Sequence, residues 1–311
     1  MRIVWWLNYL PDRRVRAFMK KKMLPYLFML PAILVLLFIY AGPVIGILFF
    51  SITDWNGVSF AFDFVGLKNY GNLFREKDLI NAISNTLEFF ILTFIFQNIL
   101  ALFVAVLLNK KFFGRNALRT VFFMPATISV IAVGLIWSLI FDPVSGAINV
   151  AANAFGWDWL AGVRFLGNTK IVMKAIAFVN IWQWAGWNMV IYIAGLQGIA
   201  PEYYEAARID GAGDAKAFFH ITLPLLAPAI TINMVMTTIG GLKVFDLPFA
   251  MTGGGPGHAS ETFAMTIVKN SFSLYKAGYG CAMSVVMFVV ILIITVIQNT
   301  VMSKMEERTM S

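Results

Sequence analysis

From Leu24 to Ser51 the chain runs 28 residues without a charged side chain. About 20 apolar residues are enough for a helix to cross roughly 30 Å of hydrocarbon. Five more apolar runs follow: Ile80–Leu108 with Glu88 near its start, Ala117–Ile140 uncharged after Arg119, Ile171–Gly198 with Lys174 near its start, Leu225–Met251 with Lys243 and Asp246 near its end, and Tyr279–Ser303. Hydrocarbon offers no partner to a peptide N–H or C=O, so each run must bond its backbone internally, as a helix. The fold class is therefore an all-α polytopic membrane protein with six transmembrane helices. Pro31 and Pro43 in the first run are compatible with this. That run is too long for a signal-peptide core and no small-x-small cleavage site follows it, so it reads as a retained anchor. Charged residues are 13% of the 311, against about 25% in a soluble domain, too few to cover a water-facing surface. One cysteine, Cys281, excludes a disulfide framework and a cysteine zinc site. Two histidines, His220 and His258, leave little for a metal or catalytic cluster, and no cofactor is called for.

Six spans put both termini on one side, and basic residues mark the cytoplasmic one. The N-terminal tail carries seven between Arg2 and Lys22. The second-to-third loop adds Lys110, Lys111, Arg115 and Arg119, the fourth-to-fifth Arg208 and Lys216, and the C-terminal tail Lys304 and Arg308. That is fifteen of 24, against seven in the longer opposite loops. Both termini are read as cytoplasmic. The net charge of +8 follows from these loops and does not point to nucleic acid. The chain divides into residues 1–79 (basic tail, first helix, first outer loop), a core of five helices over 80–303 with a cytoplasmic loop at 200–224, and a tail over 304–311. Trp157 and Trp159 in the middle outer loop suit a membrane interface.

The 200–224 loop reads as two short helices outside the bilayer. Pro201 suits a first helical position, where its missing N–H costs nothing. Glu202 and Glu205 follow in the first turns, favourably placed on the helix dipole. Gly211 fits a C-terminal cap in the left-handed conformation, Asp214 is placed to cap the second helix, and Pro224 marks the entry to the fifth span. Ala206 and Ala207 give the first helix a narrow face that another protein can approach closely. The full spacing is Glu205-Ala206-Ala207, three residues, Gly211, nine residues, Ile221, one residue, Leu223-Pro224, with Asp210 just before the glycine.

That spacing resembles the EAA motif of ABC importer permeases, the membrane subunits of binding-protein-dependent uptake systems. Asp54-Trp55, Gly146-x-Ile148-Asn149 and Val244-Phe245-Asp246…Met251-Thr252-Gly253-Gly254-Gly255-Pro256 extend the resemblance along nearly the whole chain. It points to the carbohydrate-uptake branch, of the maltose F component and glycerol-phosphate A component type. The resemblance implies the type I importer fold, a second EAA-containing permease, an ABC ATPase dimer docked on the 200–224 loop, an extracytoplasmic substrate-binding protein and a sugar substrate; the alternatives are polyol or glycerol-phosphate uptake by the same kind of permease, or a stand-alone secondary transporter. The chain has no Walker A motif: Gly253–His258 lacks the Lys-Ser/Thr of a phosphate loop. It is not itself an enzyme on this reading, and a partner hydrolyses ATP. Glu205 would anchor the lever, Ala206 and Ala207 pack it, and Gly211 cap it.

In the fourth span Asn180, Gln183, Trp184 and Trp187 fall at i, i+3, i+4 and i+7, one helical face. Such a stripe is costly against lipid and should face a cavity or a partner helix. The resemblance places sugar contacts on this face. In the fifth span Thr237, Gly240, Gly241 and Val244 share a face; its glycines either widen a cavity or let helices pack closely. Lys243 and Asp246, three apart, are read as a neutralising pair, with Asp246 also a pathway candidate. Ser284 is a further polar candidate in the sixth span.

The charge asymmetry makes a direct prediction. A reporter active only outside the cytoplasm should be active when fused after Gly257 and silent when fused after Gly211. The reverse pattern contradicts the orientation.

Overall fold

The computed structural model describes residues 26, 28–59, 61–73 and 76–310 and, of Lys77 and residues 305–310, the backbone only. The basic stretch Arg2–Lys22, Leu24 and Arg75 lie outside the described residues. Among the described residues the chain is helical, with one isolated antiparallel bridge, Thr53–Phe64, in the first connecting loop. In chain order the helices are α1 (Phe28–Phe50), α2 (Lys68–Leu73), α3 (Asp78–Asn109), α4 (Arg115–Thr127), α5 (Val130–Ile140), α6 (Ala147–Phe155) and α7 (Val172–Gln197). They continue with α8 (Pro201–Ile209), α9 (Asp214–Leu225), α10 (Ala227–Leu242), α11 (Asp246–Thr252), α12 (Phe263–Val268) and α13 (Ala277–Met310).

Among the described residues α1, α3 and α13 are each long and apolar enough to cross a membrane, and two bent pairs bring the number to five. The sixth segment is α7, 26 residues and so about 39 Å long. Its amides and tryptophans lower its hydropathy, and burial inside the bundle makes that tolerable.

Two of the spans are bent. The third is α4 and α5, bent by 97° at Pro125–Ser129, where a 3₁₀ turn and an extended Ile128 break the α-helical ladder. The fifth enters through α9, turns by 67° at Leu226, runs as α10 and stops at Leu242, not Met251. Residues 243–245 leave helical geometry before α11 begins. The sixth helix exceeds the span read from the sequence at both ends.

The bundle is organised around α7, which packs against α3, α4, α10 and α11. One apolar core gathers Phe89, Val133, Phe141, Val172, Ile176, Val179 and Leu247 around the first half of α7. A second gathers Ala101, Val104, Leu108, Met189, Tyr192, Ile193, Leu196 and Leu226 around its last half. Between them lies α7 from Asn180 to Asn188, the polar stripe. A third cluster, Leu73, Leu79, Phe263 and Met283, ties α2 and α12 to α3 and α13. Helix α1 packs on α13 and leaves the rest of its apolar surface open, as a helix bordering lipid can.

At Gly186 the backbone of α4 crosses α7 so closely that a β-carbon would overlap the main chain at Phe122 and Phe123. Backbone cannot step aside as a side-chain tip can. Gly186→Val should therefore cost at least the roughly 1–3 kcal/mol of an overpacked contact. It should lower the thermal midpoint of the detergent-solubilised protein. An unchanged midpoint would contradict the α4–α7 crossing.

Candidate functional site

Where the two cores part, a cavity of about 320 Å³ opens. Helix α7 contributes Asn180, Trp184, Trp187 and Asn188 to its wall. Helix α3 contributes Thr93 and Gln97, and α10 contributes Thr237, Gly240 and Gly241. Lys243 to Leu247 form its mouth. The α3 residues sit on a π-turn, Thr93–Gln97. Such turns insert an extra residue into a helix and recur at functional sites. Here the turn aims both Thr93 and Gln97 at the cavity.

Asn180 donates from Nδ2 to Gln97 Oε1 at 3.1 Å. Trp187 stacks on Phe123 with ring centres 6.0 Å apart and 23° between planes, so one indole face is fixed. Gln183, read as part of the same stripe, does not line the cavity. It is fully buried and donates from Nε2 to the Ile128 carbonyl at 3.0 Å, across the α4–α5 bend. The bend frees that carbonyl, and Gln183 is the group that caps it. Ser284 also lies outside the cavity, with its hydroxyl bonded to the Gly280 carbonyl one turn back.

The two glycines of α10 divide the alternatives between them. A β-carbon on Gly240 would meet nothing within 4 Å, so this glycine leaves cavity volume. One on Gly241 would lie 3.1 Å from the Phe90 ring and 3.3 Å from Thr93 Oγ1, so this one permits helix packing. Lys243 and Asp246 both line the cavity mouth but form no ion pair with each other. Helical i,i+3 spacing would have joined them; the chain leaves the helix between them, and they diverge. The ion pairs found among the described residues are elsewhere, on Glu261, which takes Lys269 at 3.3 Å and His258.

Beneath the cavity three helices share a buried polar cluster. Asn98 on α3 donates to Thr237 Oγ1 at 3.3 Å and accepts from Tyr192 OH at 2.9 Å. Asn188 donates to Thr237 Oγ1 at 3.2 Å, and Asn233 donates to the Asn188 carbonyl at 3.2 Å. The sequence signal for Gln97, Asn98 and Asn233 is the presence of side-chain amides inside the second and fifth apolar runs, without a periodicity that distinguishes them. Asn188 follows Trp187 directly, one position off the face that was read.

At the end of the bundle that carries α8 and α9, Ala212 N–H donates to the Ala207 carbonyl at 2.8 Å and Gly211 N–H to Arg208 at 3.1 Å. With Gly211 at φ +76° this is the 6→1, 5→2 helix ending that glycine favours. Pro201 opens α8 at its first turn. The second helix is capped by Gly213, with Asp214 its first helical residue and no side-chain capping bond. Asp214 therefore acts on the helix dipole instead of closing a capping ring. Tyr204 OH meets Thr222 Oγ1 at 3.1 Å and ties α8 to α9. Ala207 is buried against this chain, whereas Glu205, Ala206 and Asp210 are exposed and Ile209 is 87% exposed. The open face of α8 thus carries Glu202, Glu205, Ala206 and Ile209. Ile221, Leu223 and Pro224 are half-buried where α9 meets the bundle.

A family model described as "Binding-protein-dependent transport system inner membrane component" matches residues 97–307. The chain is 36% identical to a probable ABC transporter permease protein, YurN, of Bacillus subtilis, over 90% of this chain and 96% of that one. It is 34% identical to a probable starch degradation products transport system permease protein, AmyD, of Thermoanaerobacterium thermosulfurigenes, over 93% and 97%. Its fold is that of one chain in the crystal structure of a bacterial ABC transporter involved in the import of the acidic polysaccharide alginate. The TM-score is 0.81 at 24% identity, covering 94% of this chain and 99% of that one.

The two glycines of α10 give a paired test. Gly240→Leu should keep the thermal midpoint of the purified protein, because the new side chain enters open cavity. Gly241→Leu should lower it, since overpacking against Phe90 and Thr93 costs about 1–3 kcal/mol. Equal losses in both variants, or the reverse order, contradict the cavity's position.

Proposed function

The chain belongs to the family of binding-protein-dependent transport system inner membrane components, and from that premise we propose that it is the membrane-spanning permease subunit of an ATP-driven importer of mono- or oligosaccharides. The observation that carries this reading is the cavity at the polar, aromatic stripe of α7 between two apolar cores. Aromatic faces with amides and hydroxyls around them suit sugar rings, whose C–H faces stack and whose hydroxyls both donate and accept. Asn180, Trp184, Trp187, Asn188 and Thr237 are the residues assigned to the ligand, with Gln97 and Gly240 shaping the wall. Relatedness to a starch-product permease over nearly the full length of both chains supports a sugar.

In this reading both termini are cytoplasmic, in a bacterial or archaeal cytoplasmic membrane, as the distribution of basic residues favours. A second EAA-containing permease completes the translocation path. An ABC ATPase dimer takes the open face of α8 in a groove, and an extracytoplasmic binding protein delivers the sugar. Closure of the ATPases moves α8, and the spans rock between outward and inward access. One observation favours the second reading, uptake of an anionic polyol such as a glycerol phosphate: Lys243 lines the cavity mouth without an ion-pair partner among the described residues.

Reconstitution with its permease partner, ATPase and binding protein tests the proposal. Trp184→Ala should lower uptake of maltose or maltotriose several-fold with the ATPase still bound, since losing an aromatic stacking face costs on the order of 1 kcal/mol. Gly211→Val should leave sugar binding intact yet hydrolyse ATP without transport. A branched residue at positive φ costs about 1–2 kcal/mol, whereas Gly211→Asn should be close to wild type because asparagine tolerates that conformation. Full uptake and coupling in both Trp184→Ala and Gly211→Val overturn the assignment. Uptake of glycerol phosphate but no sugar selects the second reading.

A further inference from the structure

A second and larger cavity, about 460 Å³, lies at the opposite end of the bundle from α8, between the α1–α2 loop, α2 and the start of α13. Its wall carries three aromatic rings, Trp55, Tyr275 and Tyr279, with Asp54, Glu76 and Asn72 around them. It shares no lining residue with the cavity at α7.

Two of the rings are held in place by side-chain contacts. Trp55 stacks on Phe50 at 4.1 Å on one face, and its indole N–H donates to the Ser59 carbonyl at 2.7 Å. Tyr279 OH donates to Glu76 Oε2 at 2.5 Å. Tyr275 has a φ of +52° yet is 62% exposed. The local bonding explains the backbone: Lys276 N–H reaches back to the Asn270 carbonyl at 2.9 Å and Leu274 N–H to Lys269 at 3.0 Å, an ending that calls for a left-handed residue. Glycine or asparagine fills such positions at little cost. A tyrosine is strained there, and with its ring largely open it does not recover that strain by burial. Strain kept without a packing return points to a role for the side chain itself.

We propose that this cavity is a second saccharide-binding site, at the face where sugar arrives, with Tyr275 as its exposed stacking platform. The inference rests on the sugar-importer reading. Two carboxylates and an amide supply acceptors and a donor for hydroxyl groups, and the volume falls in the range that small ligands occupy. Lys276 in the same wall offsets part of the acidic charge, which favours a neutral polyhydroxyl ligand over a bare cation. A site here would hold sugar near the entrance before it reaches α7.

Tyr275→Gly tests this, because it relieves the backbone and removes the platform together. In the assembled complex in nanodiscs, binding of whichever of maltose, maltotriose or trehalose the complex transports is titrated to saturation. Wild type should show two classes of site per permease. Tyr275→Gly should keep or raise the thermal midpoint while weakening one class about tenfold, and Trp184→Ala should weaken the other. Unchanged sugar binding in Tyr275→Gly with transport intact overturns this inference and leaves the importer reading standing. Loss of binding-protein affinity instead of sugar affinity assigns the cavity to a protein contact and also overturns it. Transport of glycerol phosphate and of no sugar sinks the sugar reading and this inference with it.

Discussion

A helix with two asparagines, a glutamine and three tryptophans between residues 180 and 188 cannot stand against hydrocarbon. The packing around α7 answers that constraint. Helix α7 is withdrawn to the centre, and α3, α4, α10 and α11 surround it. Apolar residues close on it above and below the stripe, and the stripe itself meets a cavity, the bent backbone at Ile128 and other side-chain amides. The outermost helices α1 and α13 carry the apolar surface that α7 lacks. Solubility in the bilayer and a polar interior are thus divided between different helices.

The same division appears in the glycines. Gly186 and Gly241 let backbones approach, Gly240 leaves space, and Gly211 supplies a dihedral. One residue type serves three physical ends, and only the surroundings tell them apart. That is why the Gly240-Gly241 pair could be read either way from sequence, and why both readings turn out to hold, one for each residue.

Much was legible beforehand because it depends on local rules. Run length marked six apolar segments, and the loop motif gave Pro201 at a helix start and Gly211 in left-handed geometry. The i, i+3, i+4, i+7 stripe put Asn180, Trp184 and Trp187 on one cavity wall. What escaped depends on departures from an ideal helix. The 97° bend at Pro125–Ser129 turns a carbonyl toward Gln183 and takes that residue out of the stripe's shared environment. The π-turn at Thr93–Gln97 rotates two side chains into the wall, and no periodicity counted at 3.6 residues per turn anticipates it. The helix break after Leu242 separates Lys243 from Asp246. The cavity at Trp55 and Tyr275 joins loops more than 200 residues apart, which no local pattern in the sequence pairs.

Between the exposed loop and the cavity the contacts are continuous. Tyr204 meets Thr222, and Leu226, one turn on, is fully buried beside Tyr192 and Ile193. A β-carbon on Gly195 would touch both Leu226 and Ala229 at 2.7 Å, so α7 and the start of α10 have no slack between them. Eleven residues after Leu226, Thr237 reaches the cavity and holds Asn98 and Asn188. Close-packed apolar side chains compress little, so a displacement of α9 is passed to α10 instead of being absorbed. The cavity floor is different in kind. Hydrogen bonds between helices in a membrane average about 0.6 kcal/mol, because partners are readily exchanged. A tightly packed apolar floor would have to open a void to rearrange; amides and hydroxyls can trade one partner for another or for a ligand. The chain therefore places its stiff contacts along the route from α8 and its exchangeable ones at the cavity floor.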